Sequence, residues 1–280
     1  MSFHRENFPS PENEDELIDR AYERAENLTT RNQISMSDFV DLYSSKNVES
    51  DLAYVKLLES KFEEENSPEE KERKRLAQIL EAIVFEHGEQ SDWFGSEATT
   101  IKASSFDDYV NGVDMITEFD EGQNRSSHAA FAVDITFSRS AAKKFEKIRE
   151  KIDSGELAKV KYFQSKNIPF RGELLRVPIT VVNAHPETVK RLAKLWIEND
   201  YKALANHWIQ FQLLEELVEQ CQIFADYADK VGQPQVAQSY RHIGEITKKI
   251  VERKNQTVKD TGQRDNNFYK TLNDLKEVLI

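Results

Sequence analysis

The sequence predicts a mixed α/β protein: a small β-rich core carried between two long, mainly helical flanks. Three observations predict it. Apolar residues recur at helical spacing from Leu17 to Val84 and again from Glu187 to the end. Between about residues 98 and 183 the period changes to short β-rich segments. Turn and breaker residues fall where the period changes. The boundaries this suggests are an acidic helical N-terminal region (1–66), an α/β core (67–200) and a helical C-terminal region (201–280). The chain has 280 residues, 39% of them hydrophobic, with 16 Phe, 9 Tyr and 3 Trp, enough apolar surface to fill a core.

Residues 1–14 read as a frayed tail. Leu17, Ala21, Ala25 and Leu28 mark a first helix. Phe39, Val40 and Leu42, introduced by Ser37, mark a second. Leu52, Val55, Leu57, Leu58 and Phe62 mark a third. The stretch EEENSPEE ends that pattern and starts the next: Ser67 can cap, Pro68 suits the first helical position, and Glu70 stands three residues after the cap. Leu76, Ile79, Leu80, Ile83 and Val84 then form one apolar face.

Strands are expected at ATTIKAS, NGVDMITEF and HAAFAVDITF, the last two joined by a turn at Asp120–Asn124. Asn111-Gly112 reads as a turn or bulge before Asp114. Ser138 can cap a helix whose core face is Ala141, Phe145, Ile148 and Ile152, and Gly155 ends it. KVKYF is a further strand, and LLRVPITVV another, with Pro178 pointing to an edge or a bulge. Glu187–Ile197 is helical. A long helix over about 203–229 carries one apolar stripe, including Leu204, Trp208, Phe211, Leu214, Leu217, Cys221 and Phe224. Gly232-Gln233-Pro234 breaks it, and helices around Tyr240–Ile250 and Phe268–Leu279 follow. These C-terminal helices are expected to pack on the core, or to serve as an arm for a homodimer.

Charge and composition narrow the classes. No run of about 18 apolar residues occurs, so no membrane span is expected. The polar, acidic N-terminus lacks the apolar segment of a secretory signal, which points to a cytoplasmic protein. One cysteine, Cys221, excludes an internal disulfide framework and a cysteine-based zinc site; its surroundings suit a core thiol. Net charge is −12, but the first 100 residues hold 24 acids and 11 bases, and the remaining 180 hold 26 and 27. The acidity belongs to the first third, which suits solvent or a basic protein partner. The neutral remainder can still present a local basic patch to phosphates.

Two aspartates stand in unusual places. Asp114 lies in GVDMI and Asp134 in AFAVDITF, each flanked by apolar residues on neighbouring predicted strands. A carboxylate buried without a partner costs several kcal/mol. Each Asp can instead sit at a strand end, facing water or a Lys or Arg. If the strands pair, both carboxylates can face one point, and a hard divalent cation such as Mg²⁺ or Mn²⁺ would relieve their repulsion. Trp93-Phe94 could stack on a base or lie over the core as an apolar lid. His128 and His185 read as loop residues.

An αβββαβ core with an acid on its second strand and an acid-x-Lys on its third resembles the PD-(D/E)XK nuclease superfamily, whose fold is restriction-endonuclease-like. The resemblance covers about residues 70–165, with Asp114 and Asp134 as the two acids. It implies a Mg²⁺- or Mn²⁺-dependent phosphodiesterase acting on DNA. Asp114, Asp134 and the Ile135 carbonyl would hold the metal. The family often adds an acid from the first helix: Glu86 continues the face of Ile79 and Ile83, while Glu81 sits off it. The lysine of the family motif is replaced by Thr136. Lys144, beside the core face of the following helix, is the candidate for a relocated lysine, and Lys161 is a further option. Two other readings stay open: a catalytically inactive nuclease-like binding or assembly module, and a helical interaction scaffold.

Overall fold

A computed structural model describes residues 11–65, 67–134 and 139–279. The N-terminal flank comprises α1 (Pro11–Asn32), a 3₁₀ turn (Met36–Phe39), the single turn α2 (Val40–Tyr43) and α3 (Ser45–Glu65). Helix α4 (Pro68–Gln90) starts as its sequence dictates. The Glu70 amide donates to the Ser67 hydroxyl at 3.3 Å, and the Ser67 amide donates to the Glu70 carboxylate at 2.9 Å, a reciprocal cap with Pro68 in the first turn.

The core follows as β1 (Ala98–Lys102), a π-helical turn (Asp107–Asn111), β2 (Met115–Asp120), β3 (Ser126–Asp134), α5 (Arg139–Asp153), β4 (Ala158–Gln164), β5 (Arg171–Val177) and β6 (Ile179–Asn183). The hairpin between β2 and β3 turns at 121–125, where Gly122, Gln123 and Asn124 all have positive φ. The four-stranded sheet has the order β1-β2-β3-β6: the first two pairings are antiparallel and β3 runs parallel to β6.

Two expectations about the strands are corrected. KVKYF is not the fourth strand of the sheet; as β4 it pairs only with β5, in a separate antiparallel ribbon. LLRVPITVV is not one strand. Pro178 cannot donate to a ladder, and the chain changes sheets there: β5 ends at Val177 and β6 begins at Ile179. The Pro178 carbonyl still accepts from the Ala130 amide at 2.8 Å, which sets the register of β6 on β3.

The sheet is covered on both faces, so β2 is buried along most of its length rather than alternating. Helix α4 lies on the face carrying Thr100 and Lys102; the Thr100 hydroxyl donates to the Phe85 carbonyl at 2.8 Å. The β4–β5 ribbon lies on the opposite face, where the Phe163 ring meets His128 edge-on at 5.1 Å.

The C-terminal region is α6 (Pro186–Ile197), α7 (Tyr201–Ala205), α8 (Ile209–Lys230), α9 (Pro234–Lys254) and α10 (Asn266–Leu279). The long helix expected over 203–229 is thus two, parted at 206–208. Its apolar stripe packs within the chain: Phe211, Leu214, Leu217, Cys221 and Phe224 are all buried. One contiguous apolar core runs from Ile18 of α1 to Leu279 of α10 and so spans all three sequence regions. A smaller cluster, Met36, Phe39, Val48 and Tyr162, fixes the 3₁₀ turn and α3 to β4. Trp93 and Phe94 are fully buried, Trp93 donating to the Leu204 carbonyl at 3.1 Å and Phe94 stacked on Phe131 at 5.2 Å. They are core residues, and the base-stacking option closes. No helix among the described residues is long and apolar enough to cross a membrane.

Candidate functional site

The carboxyl end of β3 is where the candidate residues meet. Gly112, in the left-handed region at φ 69°, closes the π-helical turn; its amide reaches the Asp108 carbonyl at 3.1 Å, and the Val113 amide reaches Asp107 at 3.0 Å. That closure delivers Asp114 one residue ahead of β2. The Asp114 amide already continues the ladder, donating to the Phe131 carbonyl at 2.9 Å. Its carboxylate accepts from the Val133 amide at 2.6 Å. From α5, the Lys144 ammonium donates to the Val133 carbonyl at 2.6 Å. Asp114 and Lys144 therefore hold the amide and the carbonyl of Val133, one residue before Asp134.

Asp108 completes the group. Burial first, and then the negative charge and hydrogen bond of Asp114, push its carboxyl up to about 7; the Lys102 and Lys144 cations oppose this. Two carboxyls in contact, flanked by two lysines, are what a shared proton or a shared cation stabilises. Lys102 on β1 is itself buried, ion-paired with Glu81 of α4 and donating to the Asp114 carbonyl at 3.1 Å.

The structure thus brings Asp114, Lys144 and, through Lys102, Glu81 to one place. It takes Glu86 elsewhere. The Glu86 carboxylate accepts from Arg24 at 3.1 Å and from the Trp196 indole, while Arg24 also lies 4.3 Å over the Trp196 ring. Glu86 joins α1, α4 and α6. Extrapolating the apolar face of Ile79 and Ile83 did not identify the helix acid that approaches Asp114, because that face also packs on other helices. Ile135 and Thr136 lie outside the described residues. Asp134 is described through its backbone alone, closing β3 in register with Asn183 of β6. Among the described residues, no group of three or more His, Cys, Asp or Glu side chains is arranged to hold a metal ion.

Lys161 is committed away from this site. Its ammonium pairs with Asp51 of α3 and lies 4.9 Å from the Phe106 ring. Asp107, beside Asp108 in sequence, is fully buried and accepts from the Lys161 and Tyr162 amides at 2.7 and 3.0 Å, so it closes the free edge of β4. His128 is a strand residue, not a loop residue: on β3 it faces buried Glu118 of β2 at 3.3 Å. His185 caps α6, accepting from the Glu187 amide.

Asp108 is a residue of this group that the motif and the resemblance did not assign to the site. The DD pair in SSFDDYVNG carried the signal, but only the π-helical turn sends one carboxyl inward to β4 and the next to Asp114. Beyond the carboxyl end of β6 lies a cavity of about 330 Å³, lined by His185, Thr188, Arg191, Trp208, Arg264 and Asn266 among others.

Fold and site define a mixed α/β protein in which a carboxyl pair and two lysines gather at one end of a small sheet. Comparison with family models, curated proteins and solved structures finds no match for this chain.

Proposed function

We propose that this protein is a divalent-metal-dependent phosphodiesterase of the PD-(D/E)XK type acting on DNA, with its chemistry at the carboxyl end of β3. The observation that carries the reading is that Asp114 and Lys144 meet at Val133, with the Asp108 carboxyl against Asp114. The order of elements supports it in part: a helix, three antiparallel strands and a helix come first, and β6 then lies parallel to the third strand, after the separate β4–β5 ribbon. So does Glu81, an acid from the first helix placed against Lys102 beside Asp114.

The donor chemistry fits a hard cation, since paired carboxyls held together against burial gain from a shared positive charge. Asp114 and Asp134 with the Ile135 carbonyl are the assigned ligands, and Asp108 takes the place first given to Glu86. When bound, the cation supplies Lewis-acid polarisation of the phosphate and acidifies water near it. The rest falls to the chain. The Val133 amide fixes the Asp114 carboxylate. Lys144 holds a positive charge where negative charge grows on the phosphate, in place of the lysine that Thr136 lacks. Lys102, neutralised by Glu81, anchors the peptide of Asp114.

The test is Mn²⁺ binding by calorimetry beside cleavage of labelled duplex and single-stranded DNA. Asp114→Asn and Asp134→Ala are expected to lose metal binding and at least about 100-fold in rate, the scale of losing a charge-stabilising group. Lys144→Met is expected to lose rate while keeping metal affinity. Equal cleavage by wild type and Asp134→Ala would mark the activity as contamination and sink the reading. Thr136 favours a second reading, a nuclease-like binding module; metal and DNA binding without hydrolysis of any substrate selects it.

A further inference from the structure

The outer surface of α5 is divided by charge. The helix holds six bases and three acids. Lys143, Lys147 and Lys151 follow one another at four-residue steps, and Glu146 and Glu150 do the same on the other flank. Helices that stabilise themselves place opposite charges four apart; like charges at that spacing repel. Here the four-residue steps join like charges on both flanks, and the acids Glu146 and Glu150 stand three residues after Lys143 and Lys147.

The lysines are also left without partners. Lys143, Lys147 and Lys159 are exposed and Lys151 is half-buried. None of the four ammonium groups makes an ion pair or hydrogen bond among the described residues. Lys159 is exposed on β4, the strand that follows α5, and its charge reaches Lys151: burial first lowers the Lys151 pKa, Glu156 opposes, and the Lys147 and Lys159 cations lower it further. The row starts beside Lys144, which sits at Val133. It stands out on a chain of net charge −12.

We infer that Lys143, Lys147, Lys151 and Lys159 form a track for the sugar-phosphate backbone of a nucleic acid, leading to the end of β3. Four-residue steps on a helix advance about 6 Å each, so the row offers a cation to each of several successive phosphates. Among the described residues α5 and β4 expose no large apolar side chain, which disfavours a membrane surface. The choice of nucleic acid rests on the proposed phosphodiesterase; the row itself does not.

The experiment is fluorescence anisotropy of labelled single-stranded and duplex DNA over a range of salt, using the full chain. Lys143→Glu/Lys147→Glu/Lys159→Glu is compared with Lys248→Glu/Lys249→Glu on exposed positions of α9, after thermal unfolding confirms that both are folded. The triple variant is expected to bind at least about tenfold more weakly, and the slope of log affinity against log salt to fall by about 2 to 3, one contact per lysine. The α9 variant keeps the wild-type slope. Equal losses in the two variants would overturn the track, as would vesicles rich in phosphatidylserine binding through the same lysines while DNA does not. Asp114→Asn separates the two proposals: cleavage lost with the salt slope retained supports both. DNA binding that depends on the lysines, with no cleavage by wild type, keeps the track and removes the phosphodiesterase.

Discussion

The Gln220 carboxamide reads Val181 as a neighbouring strand would: it donates to the Val181 carbonyl at 2.7 Å and accepts from the Val181 amide at 2.8 Å. Strand β6 is an edge strand, and α8 closes that edge with side chains. One turn back, Glu216 accepts from the Asn183 amide at 3.3 Å, and another turn back Gln212 donates to the Asn183 carbonyl at 3.2 Å. Residues 212, 216 and 220 share one helix face, and their polar groups stand where a further strand's backbone would.

Gln220→Leu keeps the volume but strands the Val181 amide and carbonyl in the core. A loss of about 2–4 kcal/mol in unfolding free energy is expected, one desolvation cost for each group. Urea denaturation measures it, and a loss below about 1 kcal/mol would show that water reaches the edge.

Glu216 sits in the same row fully buried, and burial raises its carboxyl well above the usual range despite the Asn183 amide. The unfolded chain releases this proton near pH 4.5, the folded chain only at higher pH. Its contribution is therefore a loss of stability as pH rises above 4.5. Glu216→Gln removes that loss, so its stability relative to wild type should be greater at pH 8 than at pH 5. A constant difference across that span counts against a buried neutral Glu216.

Glu118 behaves in the opposite sense. Burial raises its carboxyl, but bonds from His128, the Ser165 hydroxyl and the Lys166 amide outweigh burial and hold it at about 2. With the folded value depressed, its stabilisation is present above pH 4.5 and disappears as pH falls towards 2. Chemical denaturation should show wild type losing on the order of 2 kcal/mol more than Glu118→Gln across that window. Parallel acid limbs would refute it.

Gly88 lies inside α4, where alanine ordinarily gains about 1 kcal/mol. Here a Cβ would stand 2.5 Å from the Thr100 Cγ2. Thr100 is fully buried and its hydroxyl is tied to the Phe85 carbonyl, so it has no room to rotate. Gly88→Ala is expected to destabilise by about 1–3 kcal/mol, overpacking outweighing propensity. A rise in melting temperature would show that α4 can move off β1.

Glu86→Gln tests the division of labour on α4. It weakens the tie to Arg24 and Trp196 and is expected to cost about 1–3 kcal/mol, the scale for breaking a part-buried charged hydrogen bond. Mn²⁺ titration should match wild type. A weakened metal isotherm at unchanged stability would return Glu86 to the site.

Much of this was legible in the chain. The Ser67-Pro68-Glu70 start of α4, the hairpin at Asp120–Asn124, the break at Gly232–Pro234 and the core thiol of Cys221 follow from local chemistry, because each is decided by neighbours within a turn. The placement of Asp114 after Asn111-Gly112 was legible for the same reason. Periodicity alone found the stripe of α8, since burial imposes it. It did not find the polar row on the same helix, because Gln212, Glu216 and Gln220 look like a solvated face until an edge strand lies against them.

The sequence by itself determined the class: helices flanking a short run of strands, an acidic first third, and two aspartates in apolar segments. Tertiary structure alone decided that Pro178 sends the chain between sheets, that β6 rather than β4 joins β3, that Glu81 rather than Glu86 approaches Asp114 through Lys102, and that Asp108 meets Asp114. These depend on contacts between residues far apart in the chain. Helix and strand periods state which residues turn inward, but which partner each one meets depends on how whole elements pack.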